Sequence, residues 1–208
     1  MGAMFRFLKP SADDVAHFRE RQSNTELTYD STGSTRAMPE RRPPECDQGY
    51  VVDHNRVQLG SGPRTFEVAC RALEAWKMFD VGWVELFPAR ERTQVDDVVA
   101  VLARAPGMWT LNAARVLYRI DDDGPMRRSG FAYGTLEDHV ESGEERFSIE
   151  WNREDNSVWY DLLAFSRPRH PLVRLLRPYA RVLQRRFARD SLAAMARAVS
   201  QSSNVKPN

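Results

Sequence analysis

Residues 82–165 alternate between apolar and polar side chains, and a turn signal follows each short run. A period of two is typical of β-strands, whose side chains point alternately to opposite faces of a sheet. The predicted strands are Gly82–Phe87, Asp97–Arg104, Met108–Ile120, Ser129–Leu136, Glu144–Trp151 and Ser157–Phe165. Turn signals such as Pro106-Gly107 and Asp123-Gly124 leave connections too short for crossover helices. The six strands therefore form one antiparallel meander.

Two amphipathic helices flank this meander. In the segment Arg64–Phe79, apolar residues recur at steps of three and four, namely Phe66, Ala69, Cys70, Leu73 and Trp76. A second apolar stripe begins after Pro171 and contains Leu172, Leu176, Tyr179, Leu183, Phe187 and Met195. Pro178 falls where a main helix would start or kink, because proline is tolerated only in the first turn. A further strand, Tyr50–Leu59, precedes the first helix.

This order of elements predicts an α+β helix-grip fold. A meander that must bury one face and a long helix that must bury one stripe satisfy each other when the sheet curls around the helix. We therefore expect a curved antiparallel sheet of about seven strands, wrapped on a long C-terminal helix. A cavity between such a sheet and its helix is a common site for apolar ligands.

The chain divides into three predicted regions. Residues 1–49 form an N-terminal helix, capped by Ser11, and an extended arm over Asn24–Gln48 in which Glu26–Asp30 pairs briefly as an edge strand. Residues 50–199 form the helix-grip domain, and residues 200–208 form a disordered tail.

Composition excludes several classes of function. The 208 residues carry a formal charge of +1, and an acidic block between Asp121 and Asp161 precedes an arginine block between Arg167 and Arg197. Such opposite blocks pair within a fold, so the charge gives no argument for a nucleic-acid partner. Two cysteines fit a reducing cytoplasm, and no apolar run is long enough for integral membrane association. The four histidines lack metal-ligand spacing, and we expect neither a metal nor a cofactor.

Five short motifs connect the chain with a known family. They are Leu59-Gly-Ser-Gly, Gly130-Phe-Ala-Tyr-Gly-Thr-Leu, Gly143-Glu-Glu-Arg-Phe, Phe165-Ser-Arg-Pro and Gln184-Arg-Arg-Phe. Together they resemble the DUF1990 family, a domain of unknown function, over residues 24–195. The resemblance implies a relative of the START-like and birch-pollen-allergen-like ligand binders. It supplies no catalytic residue that can be transferred to this sequence.

Strand phase selects Glu145 among the acids of the meander. Phe147, Ile149 and Trp151 define the buried face of their strand, so Glu145 faces the core while Glu144 and Arg146 face away. A carboxyl group that faces an apolar cavity has a raised pKa, which suits a ligand anchor or a general acid. The structural alternative is an internal salt bridge from Glu145 to Arg115.

Three further side chains complete the predicted site. Tyr133 shares a strand face with Phe131 and Thr135, and its hydroxyl either contacts a ligand or belongs to the core. Trp76 is a candidate wall residue. His139 lies in a loop beside Glu137, Asp138 and Glu141, which would raise its pKa; it is a ligand contact, a proton shuttle or a solvated loop residue.

Three functions stay open at this point. The first is binding of a small, largely apolar molecule or lipid, with Tyr133, Glu145, Arg115, Trp76 and His139 around it. The second is a cyclase-like or hydrolase-like enzyme that uses Glu145 or His139 as the acid or base. The third is a module that binds a partner or an anionic surface through the arginine stripe of the last helix, formed by Arg174, Arg177, Arg181 and Arg185.

Overall fold

The computed structural model describes residues 5–37, 49–88 and 93–203. The strands are β1 (Phe5–Arg6), β2 (Val51–Ser61), β3 (Val84–Phe87), β4 (Val98–Ala105), β5 (Met108–Asp123), β6 (Met126–Thr135), β7 (Glu141–Asn152) and β8 (Ser157–Pro168). The helices are α1 (Ala12–Gln22), α2 (Ser34–Ala37), α3 (Gly62–Glu74), α4 (Pro171–Leu175) and α5 (Arg177–Ser203). A short 3-10 helix at Lys77–Phe79 follows α3.

The strands form one antiparallel sheet in the order β2-β8-β7-β6-β5-β4-β3, with β1 paired to the start of β5. The meander from β3 to β8 is the one predicted from the sequence. Each strand lies within a few residues of its expected bounds, because the turn signals mark the true reversals. Strand β2 pairs with β8 and forms one edge of the sheet.

Helix α5 packs against one face of the curved sheet, which we call the inner face. The core between them contains Trp76, Phe131, Phe147, Tyr160 and Met195, all of them buried. Helix α3 adds Phe66, Ala69 and Leu73, as its three-and-four spacing predicted. This arrangement is the predicted helix-grip fold. Helix α3 ends earlier than expected, because Trp76 adopts a left-handed backbone conformation with φ of 54°.

The opposite, outer face of the sheet is also covered. Helix α1 begins with a capping box between Ser11 and Asp14 and buries Val15 and Phe18 against this face. The arm then crosses the sheet, where Leu27 forms a bridge with Leu136. The predicted edge pairing of Glu26–Asp30 is thus reduced to a single bridge. Residues 38–48, which hold the prolines and the Arg41-Arg42 pair of the arm, lie outside the described residues.

The C-terminal part is a helix pair with a break. Helix α4 ends at Leu175, and Pro178 lies in the first turn of α5, as expected for a proline at a helix start. Helix α5 continues past residue 200 to Ser203, and the hydroxyls of Ser200 and Ser202 donate to carbonyls one turn earlier. Among the described helices, none combines the length and hydropathy that a membrane crossing requires.

Candidate functional site

A pocket of about 440 Å³ lies between the inner face of the sheet and α5, and we call it the inner pocket. Much of its wall is apolar and includes Phe79, Val84, Val101, Leu162, Leu183 and Phe187. One end is polar and contains Asp53, Tyr133, Glu141, Glu145, Ser166 and Gln184. A pocket with this division suits a molecule that is apolar over most of its length and polar at one end.

Strand register places Tyr133 and Glu145 beside each other. Tyr133 on β6 pairs with Glu145 on β7, so both side chains point to the inner face. The Tyr133 hydroxyl donates a hydrogen bond to Oε2 of Glu145 at 2.5 Å. Ala164 is the next residue in this row, and its small side chain leaves space between Glu145 and Asp53. The orientation predicted from strand phase is therefore present.

Burial sets the charge of this pair. Removal from water raises the pKa of Glu145 to about 7, the Tyr133 hydrogen bond opposes this rise, and the charges of Glu141 and Asp53 add to it. Burial also raises the pKa of Glu141, against hydrogen bonds from Ser166 and Gln184. The pKa of Tyr133 is raised well above its usual value, so its hydroxyl stays protonated. Glu145 can accordingly donate or accept a proton near neutral pH.

Helix α5 supplies polar groups that strand phase did not predict. The Arg181 guanidinium binds the Asp53 carboxylate in a bidentate pair, with N–O distances of 2.5 and 2.7 Å. The Gln184 amide donates to Glu141 and to Ser166. Arg181, a member of the predicted arginine stripe, therefore turns toward the sheet. The sequence of β2 could have predicted this ion pair. Asp53 falls on the same partly buried face as Val51 and Val57, and a partly buried carboxylate needs a partner.

His139 corrects the prediction of a raised pKa. The residue is partly buried in the β6–β7 connection and lines the inner pocket. Burial lowers its pKa to about 4; its hydrogen bond with the Glu141 backbone opposes this effect, and the charge of Arg169 adds to it. The neighbouring acid Asp138 binds Gln22 instead. Nδ1 of His139 lies 3.0 Å from the Glu141 amide nitrogen and 3.1 Å from the Glu141 carbonyl oxygen, so the Glu141 backbone engages this ring nitrogen.

Arg115 and Trp76 lie elsewhere than expected. Arg115 pairs with Gly134 rather than with Tyr133, so it points to the outer face, where it donates to the carbonyls of Ser23 and Thr25. The expected salt bridge from Arg115 to Glu145 is therefore wrong. Trp76 is buried behind the pocket wall, with its ring parallel to that of Tyr133 and the ring centroids 6.4 Å apart. It supports Tyr133 rather than lining the pocket.

Glu144 faces away from the pocket, as predicted, but it is only 2% exposed. Its carboxylate accepts hydrogen bonds from the Tyr29 hydroxyl, the Gly33 and Thr35 amides and the Thr35 hydroxyl. A side chain at Gly134 would collide with the Tyr29 hydroxyl, so the close approach requires glycine there. The described part of the arm is thus fixed over the outer face, away from the inner pocket.

The described residues contain no group of three or more histidine, cysteine or acidic side chains arranged to hold a metal ion. The polar end of the inner pocket offers the carboxyl groups of Glu141 and Glu145, a protonated tyrosine, a neutral histidine and an amide. They can orient a polar group, and Glu145 can also exchange a proton with it.

The curved sheet, the helix across it and the pocket between them define a helix-grip protein. A family model described as Domain of unknown function (DUF1990) matches residues 28–194. The chain belongs to this family, and the resemblance seen in the sequence is confirmed.

Two relatives match nearly the whole chain. A UPF0548 protein of Dictyostelium discoideum is 36% identical over 215 residues, covering 98% of this chain and 99% of that protein. A UPF0548 protein of Deinococcus radiodurans is 34% identical over 207 residues, covering 94% and 98%. Among solved structures, human STARD10 is 15% identical, with coverage of 95% of this chain and 84% of that chain and a TM-score of 0.46.

Proposed function

We propose that the protein binds a small, largely apolar molecule in the inner pocket. The observation that carries this proposal is the Tyr133–Glu145 pair at one end of a pocket with an otherwise apolar wall. The volume of about 440 Å³ lies in the range of ligand pockets, roughly 300 to 1,000 Å³. A ligand that covers the apolar side chains of the pocket removes them from water, and this burial stabilises the complex.

Each polar residue has a specific part in this proposal. Glu145 and Tyr133 hydrogen-bond the polar group of the ligand, and Trp76 holds the Tyr133 ring from behind. The imidazole of His139 gives a further polar group at the pocket wall. Arg115 has no part in it, because its guanidinium is engaged on the outer face.

A pocket-filling variant tests the proposal. Ala164 lies between Asp53 and Glu145, so Ala164→Phe would occupy the polar end. The matched control is Ala16→Phe on the exposed side of α1. After incubation with a total lipid extract, native mass spectrometry is expected to show bound molecules on the parent chain and on the control, but not on Ala164→Phe. A parent chain without bound molecules would contradict the proposal.

Acid–base catalysis by Glu145 is a second candidate, supported by its pKa of about 7. A general acid or base works best when its pKa is near the working pH. His139, with a pKa of about 4, does not meet this condition. Glu145→Gln separates the two candidates, because it retains the pocket but removes the titrating group. If the protein turns over its ligand, this variant binds and does not react.

A surface at the pocket mouth supports a third candidate, docking on anionic membranes. Helix α4 and the first half of α5 expose Leu172, Leu175, Leu176, Tyr179 and Val182. Leu175 is 79% exposed, and the exposed arginines Arg177 and Arg185 lie beside this patch. Apolar side chains flanked by arginines complement an anionic bilayer surface. Leu172, Leu176 and Tyr179 also line the pocket, so docking would bring its mouth to the lipid.

Flotation with liposomes tests this third candidate. Leu175→Glu is expected to abolish flotation with vesicles that contain phosphatidylserine. The matched control, Val95→Glu, places the same charge at an exposed valine outside the patch and should float like the parent chain. Equal flotation of the two variants would contradict membrane docking and leave ligand binding unaffected.

A further inference from the structure

The outer face of the sheet carries a second pocket, of about 550 Å³, which we call the outer pocket. Strand register brings its central residues together. Arg56 on β2, Asp161 on β8 and Ser148 on β7 form one row, since Asp161 pairs with both of the others. In the next row, Glu150 on β7 pairs with Arg128 on β6. The inner pocket lies on the opposite face and shares none of these residues.

Buried acids hold the arginines of the outer pocket in place. Glu150 is clamped between two guanidinium groups, with Arg56 at 2.6 Å from one carboxylate oxygen and Arg128 at 3.3 Å from the other. The Asp161 carboxylate binds Arg56, Arg146 and His54. Arginines fixed in this way lose little further conformational entropy when they bind a ligand.

These two clamped arginines keep donors for a ligand. A guanidinium has five N–H donors, and the contacts with Glu150, Asp161 and Asp122 use only part of those on Arg56 and Arg128. The side chain of Arg56 is 38% exposed and that of Arg128 is 41% exposed. Their remaining N–H groups are therefore accessible from solvent.

The Ser148 hydroxyl is the observation that points to a ligand. Ser148 is 1% exposed and lines the outer pocket, and its Oγ has no hydrogen-bond partner among the described residues. Buried hydroxyl groups in proteins are nearly always hydrogen-bonded. The pocket around Oγ is lined by five arginines and four carboxylates, and one of the arginines, Arg119, pairs with Glu74 outside the pocket. An oxyanion would accept from the hydroxyl and from the remaining N–H groups of Arg56 and Arg128.

We propose that the outer pocket binds a small molecule through a phosphoryl or carboxylate group held by Arg56, Arg128 and Ser148. The planar guanidinium matches the oxygen spacing of either group. The site is independent of the function proposed for the inner pocket.

An NMR titration of the full chain with inorganic phosphate tests the site, with sodium chloride at matched ionic strength as the reference. Saturable shifts are expected at the amides of residues 128–130 and 148–150. Ser148→Ala removes one hydroxyl from a charged acceptor and should raise the dissociation constant about tenfold. Arg128→Gln should raise it at least as much.

The control is Arg64→Gln, which removes an exposed arginine on α3 that does not line the outer pocket. It should bind phosphate like the parent chain, and the spectra report whether each variant is folded. An acetate titration distinguishes the two ligand groups: weaker acetate binding assigns the site to phosphoryl groups, and equal binding assigns it to oxyanions in general. The proposal is overturned if chloride produces the same shifts, or if Ser148→Ala and Arg128→Gln both bind phosphate like the parent chain.

Discussion

The hydroxyl of Tyr133 lies 2.5 Å from Oε2 of Glu145, across the pairing of β6 with β7. Because the pKa of Tyr133 is raised well above its usual value, the tyrosine is the donor in this contact whenever Glu145 is ionised. It lowers the pKa of Glu145 against the effect of burial. The contact thus couples the proton affinity of Glu145 to the presence of a single neighbouring hydroxyl.

Removing that hydroxyl should raise the pKa of Glu145. In Tyr133→Phe the ionised carboxylate loses a donor, and we expect a rise of about one pH unit. An NMR titration of the Glu145 side-chain carboxyl measures it. Tyr50→Phe is the control, because its hydroxyl bonds to Ser142 on the outer face. An unchanged titration in Tyr133→Phe would show that burial alone sets this pKa.

The raised pKa of Glu145 predicts a dependence of stability on pH. The folded state binds the proton more tightly than the unfolded chain, so the stabilisation is fully present below the unfolded value of about 4.5 and is lost as pH rises through about 7. Glu145→Gln cannot ionise, and its free energy of unfolding at pH 8 should exceed that of the parent chain by up to about 3 kcal/mol.

Chemical denaturation at pH 5 and pH 8 measures this difference. The advantage of Glu145→Gln should shrink at pH 5, where both carboxamide and protonated acid are neutral. Glu137→Gln, at an exposed position two residues after β6, is the control and should show no such trend. Parallel stability curves for the parent chain and Glu145→Gln would count against a buried ionisable group.

Substitutions of the adjacent residues Glu144 and Glu145 should have different effects on stability and hydrogen exchange. Glu144→Ala leaves the Gly33 and Thr35 amides without their acceptor, and the variant should lose about 3 kcal/mol, a cost typical of removing a buried charged acceptor. Hydrogen exchange at these two amides should accelerate. In Glu145→Ala the same amides should keep their protection, because that side chain lies on the other face. Equal exchange in both variants would refute the assignment of faces.

The Asp53–Arg181 pair should couple β2 to α5. It is bidentate and partly buried, and a double-mutant cycle with Asp53→Asn and Arg181→Gln should give about 1 kcal/mol of coupling. The same cycle on the exposed Lys77–Asp80 pair should give about 0.3 kcal/mol. Similar coupling energies for the two pairs would mean that Arg181 does not fasten the helix to the sheet.

Periodicity was sufficient to predict the fold and one side of the site. The alternation that includes Phe147, Ile149 and Trp151 assigns a face to Glu145 without any knowledge of its neighbours. Arg115 shows the limit of that reasoning, because its direction depends on which β6 residue it pairs with, and the register shifts between Val116 and Tyr118. Such a shift is a tertiary property and leaves no local signal in the sequence.

The missed electrostatics have the same origin. Acids beside His139 in sequence predict a raised pKa, whereas burial in the folded protein lowers it. The helical period of the sequence distinguishes an arginine stripe from an apolar one. Whether an arginine of that stripe faces the sheet depends on how α5 is rotated about its axis, and in the fold Arg181 faces Asp53. Glu144 is buried by the arm, and the arm has too few apolar residues for its contact with the sheet to be predicted from the sequence.

The two-sided burial of β7 limits how the ligand preference of such a protein can be changed. Gly143 has a φ of 156°, and a side chain there would collide with the Phe165 carbonyl, so this inward position must stay glycine. Phe147 belongs to the core. Substitutions at Glu141 and Glu145 are then the changes on β7 that can alter the ligand preference of the inner pocket. They leave Glu144, which holds the arm on the outer face, unchanged.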